Sequence, residues 1–518
     1  MARRISSRLR ISGILLAITP LHIGGNGGDP LVDLCLAENG AGHYYVPGTS
    51  LAGALRAWMS ADLDFVNHLW GFQEQNGGAE SSRGHASYVL VEDAPIKETV
   101  AEIRDGVGID RLTGTAAERV KFDRAILPKG TRIPLQITVE QAKRFNAADW
   151  EECKAEFVAL LQALQEQEIR LGAAKTRGLG RIQLTELSIK DQDLANPEGM
   201  IATLRGEGKG ISLNALSSTP TPRNRTPKLF IDIHWQPVGP VMVKTEADGI
   251  AVDSLPLVSA INGQLSFVLP GSSIKGSLRT QAERIIRTLL NSRISNNSDP
   301  NQRFIEQVQN VPLVQSLFGS AARLENNENN SAKTQLGRMG ALAIDDCYAQ
   351  VNMTAQQWNN IEAAETETSL RGALQEANLQ GTQQAFHVAI DRWTGGAAEG
   401  FLYSTLEPMG FKWNPIRLML DLSGLGTEAN PTLALLLLVL RDLLAGRIPL
   451  GYGTNRGMGA ISVSKIQFQA RGLDSSLGAI HNVTLSMGDF TGLPGEFLST
   501  LTMSWQQWLQ EANIGGQA

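Results

Sequence analysis

Pro47–Arg56 reads PGTSLAGALR, and Pro270–Arg279 repeats this stretch as PGSSIKGSLR. A second block behaves in the same way: Ile109–Glu118 (IDRLTGTAAE) returns at Ile390–Glu399 as IDRWTGGAAE. Such matches in the same order along the chain indicate an internal repeat. The sequence therefore predicts that one module occurs twice.

A third block completes the repeat. Leu171–Gly180 (LGAAKTRGLG) returns at Leu450–Gly459 as LGYGTNRGMG. The second copy is longer between its first and second blocks, which predicts an insertion at about residues 291–380. Its composition is rich in Asn, Gln and Ser, so we expect surface loop or disorder there. The pieces of this insertion are the Asn/Ser/Gln-rich stretch Asn291–Gln302, the tract Glu325–Gln335 and a polar stretch near Gln356–Asn378 that we expect to be helical.

The two copies meet in a stretch whose composition is typical of a linker. Residues 192–228 are rich in Pro, Ser, Thr and Gly. We place the boundary near residue 222. The predicted domains are residues 1–222 and 223–518, and the second ends in a tail from about residue 485 to 518.

Each copy shows the order strand, helix, strands, helix, strand, which is the order of a ferredoxin-like domain. The predicted fold class is therefore α+β, with two tandem ferredoxin-like domains. The predicted first and last strands are Ile11–Ile18 and Arg181–Leu187 in copy one, and Lys228–Trp235 and Ala460–Phe468 in copy two. The predicted second helices are Trp150–Glu168 and Thr432–Ala445.

The composition excludes several classes of protein. The 518 residues carry a net charge of −6, so a uniformly basic surface that binds polyanions by bulk charge is excluded. The three cysteines are too few and too far apart for a disulfide framework or a zinc site. No apolar run is long enough to span a membrane. We expect a soluble cytoplasmic protein with no membrane partner.

The Pro-Gly-Ser/Thr-Ser block predicts a turn followed by a helix, with Ser50 and Ser273 as the N-caps. A helix N-terminus with basic side chains nearby favours a bound phosphate, and the alternative is a capped helix with solvated charges. Copy one has Ala52 in place of the lysine, which predicts a weaker site. The candidate phosphate-binding residues are Ser50, Arg56, Ser272, Ser273, Lys275 and Arg279.

The Gly-rich block is followed by a strand in both copies. This context excludes a dinucleotide-binding or Walker loop, since those loops open a helix. A Gly-rich loop with a central arginine instead favours close approach of an RNA backbone. The candidate RNA-binding residues are Lys175 and Arg177 in copy one, and Asn455 and Arg456 in copy two.

The Asp-Arg-x-Thr-Gly block has turn chemistry between extended runs. It predicts a projecting β-hairpin in each copy, with Arg111 and Arg392 near its base as candidate RNA-binding residues. The alternative is a structural Asp–Arg ion pair that holds the hairpin.

Together the blocks resemble the RAMP superfamily, the ferredoxin-like (RRM-like) proteins of CRISPR effector complexes. Four stretches are similar to the backbone subunits of type III complexes, the Cas-seven-like family: Thr19–Gly25 (TPLHIGG), Val32–Leu34 (VDL), Tyr45–Leu51 (YVPGTSL) and Arg177–Gly180 (RGLG). The duplication resembles a tandem fusion of the III-D branch.

The resemblance implies a subunit that grips a CRISPR guide RNA, wedges the guide–target duplex with its thumb hairpins, and assembles with other Cas subunits. It also implies that a loop aspartate cleaves the complementary target RNA with Mg²⁺ or another divalent cation. The matching residues are Asp33 and Asp253, which are also the candidate metal ligands. Asp29 and Asp248 are the rival aspartates of the same loops.

Two other functions remain open from the sequence. The first is a structural backbone subunit that binds guide RNA and cuts nothing. The second is a guide-processing endoribonuclease of the same superfamily, whose catalysis would rely on His22, His43 or Tyr44.

Overall fold

The computed structural model describes most of the chain. The chain divides into two compact units. Unit 1 contains Met1–Arg104, Arg124–Lys175 and Leu179–Arg223, and unit 2 contains Asp105–Asp123, Thr176–Gly178 and Asn224–Ala518. The described residues are 4–25, 32–59, 63–73, 84–97, 99–142, 145–217, 227–309, 311–321, 323–325, 333–335, 337–471, 476–486 and 492–515.

The first copy contributes strands and helices in the predicted order. In chain order its main elements are β1 (Ile5–Ala17), α1 (Gly48–Trp58), α2 (Leu63–Trp70), β2 (Val89–Val91), β3 (Glu102–Ile109), β4 (Ala116–Ile126), β5 (Arg132–Ala142), α3 (Ala147–Gln165), β6 (Ile182–Asp193), α4 (Pro197–Leu204) and β7 (Lys209–Ile211).

The second copy repeats this order with additional helices. Its main elements are β8 (Lys228–Pro237), β9 (Val258–Ile261), β10 (Gln264–Leu269), α5 (Gly271–Leu289), α6 (Pro300–Gln309), α7 (Val314–Phe318), β11 (Leu342–Asp345), α8 (Ala355–Glu362), α9 (Glu367–Glu376), β12 (Thr382–Ile390), β13 (Ala397–Pro408), β14 (Ile416–Asp421), α10 (Ala429–Leu444), β15 (Ile461–Arg471), β16 (Thr484–Ser486) and α11 (Gly495–Gly515).

The sheet of unit 1 has the strand order β7-β6-β1-β5-β2, with antiparallel neighbours. Alternate residues of β1, namely Leu9, Ile11, Leu15 and Ala17, are buried. This period of two is that of a strand with one face on a core. The core is completed by α1 and α3, whose buried side chains belong to the same cluster.

The sheet of unit 2 has the order β11-β14-β8-β15-β16, again with antiparallel neighbours. Leu229, Ile231, Ile233 and Trp235 of β8 are buried in alternation, and they pack with α5 and α10. A sixth, parallel strand lies at the edge of β11: the two residues Arg177 and Gly178 of the first copy. The chain segment that completes this sheet therefore precedes it by more than forty residues.

Both predicted hairpins are present. Strands β3 and β4 form the first hairpin, and β12 and β13 pair antiparallel in the second. The Asp-Arg block occupies the turn of each hairpin, at its tip. The expectation that Arg111 and Arg392 lie near the base is therefore wrong, because the strands extend up to the residue before each aspartate.

The insertion is more ordered than its composition suggests. The described parts of residues 291–380 include α6 to α9, and side chains of these segments are buried in the core of unit 2. Periodic apolar residues inside a polar stretch account for the difference. The buried residues include Leu313, Leu317, Trp358, Ile361 and Leu374. Residues 326–332, in the tract Glu325–Gln335, lie outside the described part.

Two other segments also differ from expectation. The stretch 192–228, predicted to be a linker, holds α4 and β7, and residues 218–226 within it lie outside the described part. The predicted tail 485–518 holds α11, whose Phe497 and Leu501 are buried with the core. Among the described helices, none is both long and apolar enough to cross a membrane.

The Gly-rich loops follow the same path in both copies. Gly172 and Gly451 have φ values of 81° and 89°, and a Cβ on either would lie 2.2 Å from a carbonyl oxygen, that of His22 or Met242. The next amide donates to that same oxygen in each copy, from Ala173 and from Tyr452. Glycine is required because the loop lies directly against the chain that follows the first strand.

We expect Gly451→Ala to lower the free energy of unfolding by about 2–4 kcal/mol, because the substitution adds a steric clash to a left-handed backbone conformation. Chemical denaturation followed by tryptophan fluorescence measures the loss. Gly457→Ala is the matched control: its φ is 88°, but nothing lies within 4 Å of the added Cβ. That variant should lose only about 1 kcal/mol. Equal losses in the two variants would contradict the steric explanation.

Candidate functional site

Asp253 is fixed at the hairpin of the second copy. Its Oδ2 accepts hydrogen bonds from the backbone N–H of Ser404 at 2.7 Å and from the Ser404 hydroxyl at 3.0 Å. The next residue, Ser254, forms a parallel bridge with Thr405 of β13. Asp253 itself is exposed to solvent. The carboxylate is therefore oriented by the hairpin and open to a ligand.

The first copy places Asp33 in the same way. Asp33 is exposed and precedes Leu34, which forms a parallel bridge with Arg124 of β4. The Leu34 carbonyl accepts from the amide of Ala125 at 3.0 Å, as the Ser254 carbonyl accepts from that of Leu406 at 2.9 Å. The two aspartates thus occupy equivalent positions of the repeat. Of their rivals, Asp29 lies outside the described residues, and Asp248 is exposed and paired with Lys244 at 3.6 Å.

Aromatic and basic groups lie next to Asp253 along β13. The ring of Tyr403 stacks on that of His387, with centroids 5.1 Å apart and planes inclined by 20°. The Arg456 guanidinium donates to the Tyr403 hydroxyl and lies 5.0 Å from the ring centroid of Tyr452. The hydrogen bond with Tyr452 raises the pKa of Arg456, so its cation is retained. Asp253 and Arg456 thus bind consecutive residues of one strand, Ser404 and Tyr403.

This arrangement combines three kinds of chemistry. A carboxylate can hold a divalent cation or accept a proton, a guanidinium binds phosphate, and a stacked aromatic pair offers a surface to a nucleobase. Sequence reasoning identified Asp253 and Arg456 but missed His387, Ser404 and Tyr452. These three residues lie in or near the Asp-Arg and Gly-rich blocks, which is the signal that the sequence offered. Only the register of the hairpin strands shows that they lie beside Asp253 and Arg456.

The first copy is not chemically identical at these positions. The repeat spacing places Phe122 where Tyr403 stands and Asp123 where Ser404 stands. The Phe122 ring lies against Gly106, where an added Cβ would be 2.3 Å from it, so an aromatic ring again covers the hairpin. Phenylalanine offers no hydroxyl to an arginine of the Gly-rich loop.

An acidic cluster that could hold a metal ion lies within unit 2. Asp105, Asp123 and Glu246 each offer an oxygen, and these oxygens lie within 4.8 Å of one another. Burial, together with a hydrogen bond to Asp123 and the charge of Glu246, raises the pKa of Asp105 to about 6. Lys121 pairs with Glu246 and offsets part of the negative charge.

The helix N-termini are occupied differently from the prediction. Pro47 and Pro270 are the N-cap residues, so Ser50 and Ser273 lie inside the first turn and cap nothing. An aspartate accepts a hydrogen bond from the first amide of each helix. Asp93 accepts from the Gly48 N–H and Asp346 from the Gly271 N–H, both at 2.7 Å. The N-cap prediction is wrong because proline already fixes the turn one residue before each glycine.

The basic residues of the same helices have protein partners. Lys275 is buried and donates to the Leu342 carbonyl at 2.7 Å. Arg279 donates to Glu283 and to two backbone carbonyls, and Arg56 donates to the Asn67 amide oxygen at 2.9 Å. These protein contacts compete with a phosphate for the same donors, and the phosphate cradle stays a prediction. Ser272 is exposed at the start of α5.

The Gly-rich loops hold their polar residues in different surroundings. Asn455 and Arg456 are exposed on a short 3-10 turn between Gly453 and Gly457. In the first copy, desolvation lowers the pKa of both Lys175 and Arg177. Arg177 is exposed in the two-residue strand beside β11, whereas Lys175 is half-buried. Each loop thus offers one exposed arginine.

Three residues bear on the guide-processing alternative. His22 is buried, its Nδ1 lies 2.7 Å from the Ala125 carbonyl oxygen, and burial lowers its pKa. A neutral, buried imidazole of this kind supports the backbone rather than an RNA strand. His43 is exposed and Tyr44 is half-buried.

Comparison with protein families gives one match, and its two matched regions correspond to the two copies of the repeat. A family model described as "RAMPs: RAMP superfamily" matches residues 14–183 and 257–462, which together exceed half of the chain. Each matched region begins in or after the opening strand of one copy and ends near its closing strand. A search of curated proteins gives no match.

The acidic cluster yields a prediction about pH. Because Asp105 has a raised pKa, it should titrate near pH 6, and Glu246→Gln should lower that midpoint by removing a neighbouring negative charge. Carboxyl-carbon NMR titration of the aspartates, with Asp105→Asn for assignment, measures it. Millimolar Mg²⁺ should lower the midpoint if the cluster binds the ion. A midpoint near 4 without added cation would contradict the geometry.

Proposed function

We propose, on the premise that this chain belongs to the RAMP superfamily, that it is the guide-RNA-binding backbone subunit of a type III CRISPR effector complex. RAMP proteins are CRISPR-associated and bind RNA. The duplication favours the III-D branch, with two fused Cas-seven-like domains. In this role the chain would cleave complementary target RNA at two regularly spaced positions.

The strand order of both units supports two ferredoxin-like domains. Counting only the four strands of the repeat, unit 1 has β6-β1-β5-β2 and unit 2 has β15-β8-β14-β11. Each is the order fourth, first, third, second, with two helices on the sheet. A hairpin is inserted between the second and third strands of the first copy and at the matching place of the second.

The observation that carries the proposal is the equivalent placement of Asp33 and Asp253. Both are exposed, and both directly precede a residue bridged to the hairpin. A hairpin that displaces one nucleotide from a guide–target duplex would bring that nucleotide to the strand that holds the aspartate. Two such positions in one chain predict two cuts.

The chemistry of cleavage can be stated in terms of proton transfers. The target RNA carries its own nucleophile, the 2′-hydroxyl. As this oxygen attacks the adjacent phosphorus, its proton leaves to a base such as Asp253, and the 5′-oxygen departs and gains a proton. The products are a 2′,3′-cyclic phosphate and a 5′-hydroxyl. Arg456 is placed to stabilise the charge that develops on the phosphate oxygens.

The donors around Asp253 fit a divalent cation that is held mainly by RNA. The Ser404 hydrogen bonds use Oδ2, so Oδ1 is the oxygen available to an ion. One carboxylate is a small share of the six ligands that Mg²⁺ prefers, and phosphate oxygens and water would supply the rest. Such an ion would lower the pKa of a bound water or polarise the phosphate.

A non-catalytic structural role is the second candidate, and one observation favours it for the first copy. Phe122 and Asp123 stand where the second copy has Tyr403 and Ser404. The first copy therefore lacks the two hydroxyls that position Asp253 and Arg456 in the second. We expect its cleavage to be the slower of the two.

We expect Asp33→Asn and Asp253→Asn each to remove one product band and to leave the other. The measurement uses the effector complex assembled from the full chain, its partner subunits and guide RNA, incubated with labelled target RNA and Mg²⁺. Cleavage at the affected position should fall by at least about a hundredfold, as for the loss of a general base or metal ligand. A 2′-deoxy substitution in the target should block the same band.

Asp248→Asn is the matched control, since this exposed aspartate lies in the same loop and should change no band. Persistence of both bands in both variants, with target binding intact, would refute the catalytic role and leave the structural one. Cutting of precursor RNA by the free protein would instead favour the guide-processing function.

Arg456→Ala should weaken guide-RNA binding by several-fold and reduce its dependence on salt, because one phosphate contact is lost. Filter binding between about 50 and 200 mM salt measures both effects. Arg371→Ala is the control, since that exposed arginine pairs with Glu367 on α9. An equal effect of the two substitutions would show that bulk charge, not position, accounts for binding.

A further inference from the structure

The tip of the first hairpin is held by helices of the second copy, within unit 2. We call residues Asp110–Thr115 the Asp110 turn. Asp110 is 2% exposed, and its Oδ2 accepts from Arg303 Nε at 2.9 Å. Arg111 donates through Nε to Glu283 at 2.6 Å, and its backbone N–H donates to Gln307 Oε1 at 2.8 Å.

The receiving surface, here called the receptor, is built for this pair of charges. Glu283 of α5 is buried and also accepts from Arg279 at 2.8 Å, which fixes its carboxylate. Arg303 and Gln307 belong to α6, inside the insertion. Gln307 is fully buried and reaches Asp110 Oδ1 at 3.3 Å. A buried acid, a cation and an amide thus complement an Asp-Arg tip.

The tip of the second hairpin has the same internal geometry. We call residues Asp391–Gly396 the Asp391 turn. Asp391 Oδ1 accepts from the Trp393 amide at 2.7 Å, as Asp110 Oδ1 accepts from that of Leu112 at 2.7 Å. The amide of the turn glycine donates to the aspartate carbonyl in both, at 2.8 Å and 2.9 Å. The two turns therefore share their backbone hydrogen bond and the orientation of the aspartate side chain.

The second tip differs from the first in being exposed. Trp393 is 96% exposed, and Ile390 is 57% exposed. The Arg392 side chain makes no hydrogen bond or ion pair with any described residue. Tryptophan and arginine side by side on a surface are the residue types that dominate binding energy at protein interfaces. The second tip thus has the turn geometry of the docked first tip, but no described residue binds the side chain of Arg392.

We propose that the Asp391 turn docks onto a separate protein subunit whose surface has the chemistry of the receptor, namely a buried glutamate for Arg392 and a cation and an amide for Asp391, and which also covers the exposed ring of Trp393. This inference rests on the proposed function, because it assigns a partner to the backbone subunit within its complex. The docking of the Asp110 turn is the argument for the kind of partner.

A second copy of this chain does not offer that surface. Its own receptor already holds the Asp110 turn. The first half of the repeat does not offer that surface either. The repeat spacing places Ser60 where Glu283 stands. Only residues 60–62 separate the C-cap of α1, Met59, from α2, so the described chain has no counterpart of α6 at this position. The partner is therefore a different protein. RNA is disfavoured as the ligand because the Asp391 carboxylate offsets the charge of Arg392, so this pair has no net positive charge.

Photo-crosslinking in the assembled complex tests the proposal. The full chain carries p-benzoylphenylalanine in place of Trp393, and the complex is purified from cells that express all of its subunits, irradiated, and mapped by peptide mass spectrometry. We expect a crosslink to a helix of another protein subunit, next to a glutamate. The same photoreactive group in place of Leu112 is the matched control and should crosslink within the chain, to α5 or α6.

A charge reversal provides the second measurement. Arg392→Glu should weaken retention of the crosslinked subunit at least about tenfold, and reversal of that subunit's glutamate to arginine should restore it. Crosslinks only to RNA, only to another copy of this chain, or to nothing would overturn the proposal. Guide RNA in the purified complex is measured separately. Its absence would count against the proposed function, whereas its presence without the expected crosslink would count against the docking alone.

Discussion

The hydrogen bonds between the loop before the first helix of each copy and the hairpin strand are the constraint on which the candidate sites depend. In each copy an isolated parallel bridge joins this loop to a strand of the hairpin, so the preceding aspartate takes its position from the hairpin. The loop alone could not hold a carboxylate in a fixed direction. In the second copy the same strand also carries the stacked ring of Tyr403, so one element positions the acid, the aromatic surface and the arginine.

The repeat allowed much of this to be predicted from the sequence. Three ordered blocks defined the equivalent positions, and the structure places the members of each pair in matching contacts, as the Gly172 and Gly451 loops show. Alternating apolar residues located the opening strands, because burial of one sheet face imposes a period of two. The Asp-Arg turns were identified as hairpins for a similar reason: turn residues between extended runs leave few other structures.

What the sequence could not predict depends on tertiary partners. Lys275 and Arg279 have the spacing of a phosphate site, yet Lys275 donates to the Leu342 carbonyl at 2.7 Å, and Arg279 donates to the carbonyls of Gly319 and Val308 at 3.1 Å and 2.7 Å. Local spacing does not reveal which groups a fold will bring near. The same limit explains why the order of the insertion was underestimated. Its few apolar residues, such as Trp358 and Leu374, are buried because neighbouring elements of the core pack against them.

The two-residue strand at Arg177 and Gly178 has a consequence for how the polypeptide can be divided. Gly178 approaches α5 so closely that a Cβ on Gly271 would lie 2.7 Å from its Cα. The edge strand of this sheet and the Asp110 turn, which occupies the receptor, both belong to unit 2 but are encoded upstream of the boundary. Cutting the gene between the repeats would yield two halves that match the duplication but not the folding units, and the downstream half would emerge with an open sheet edge, prone to pair with other chains.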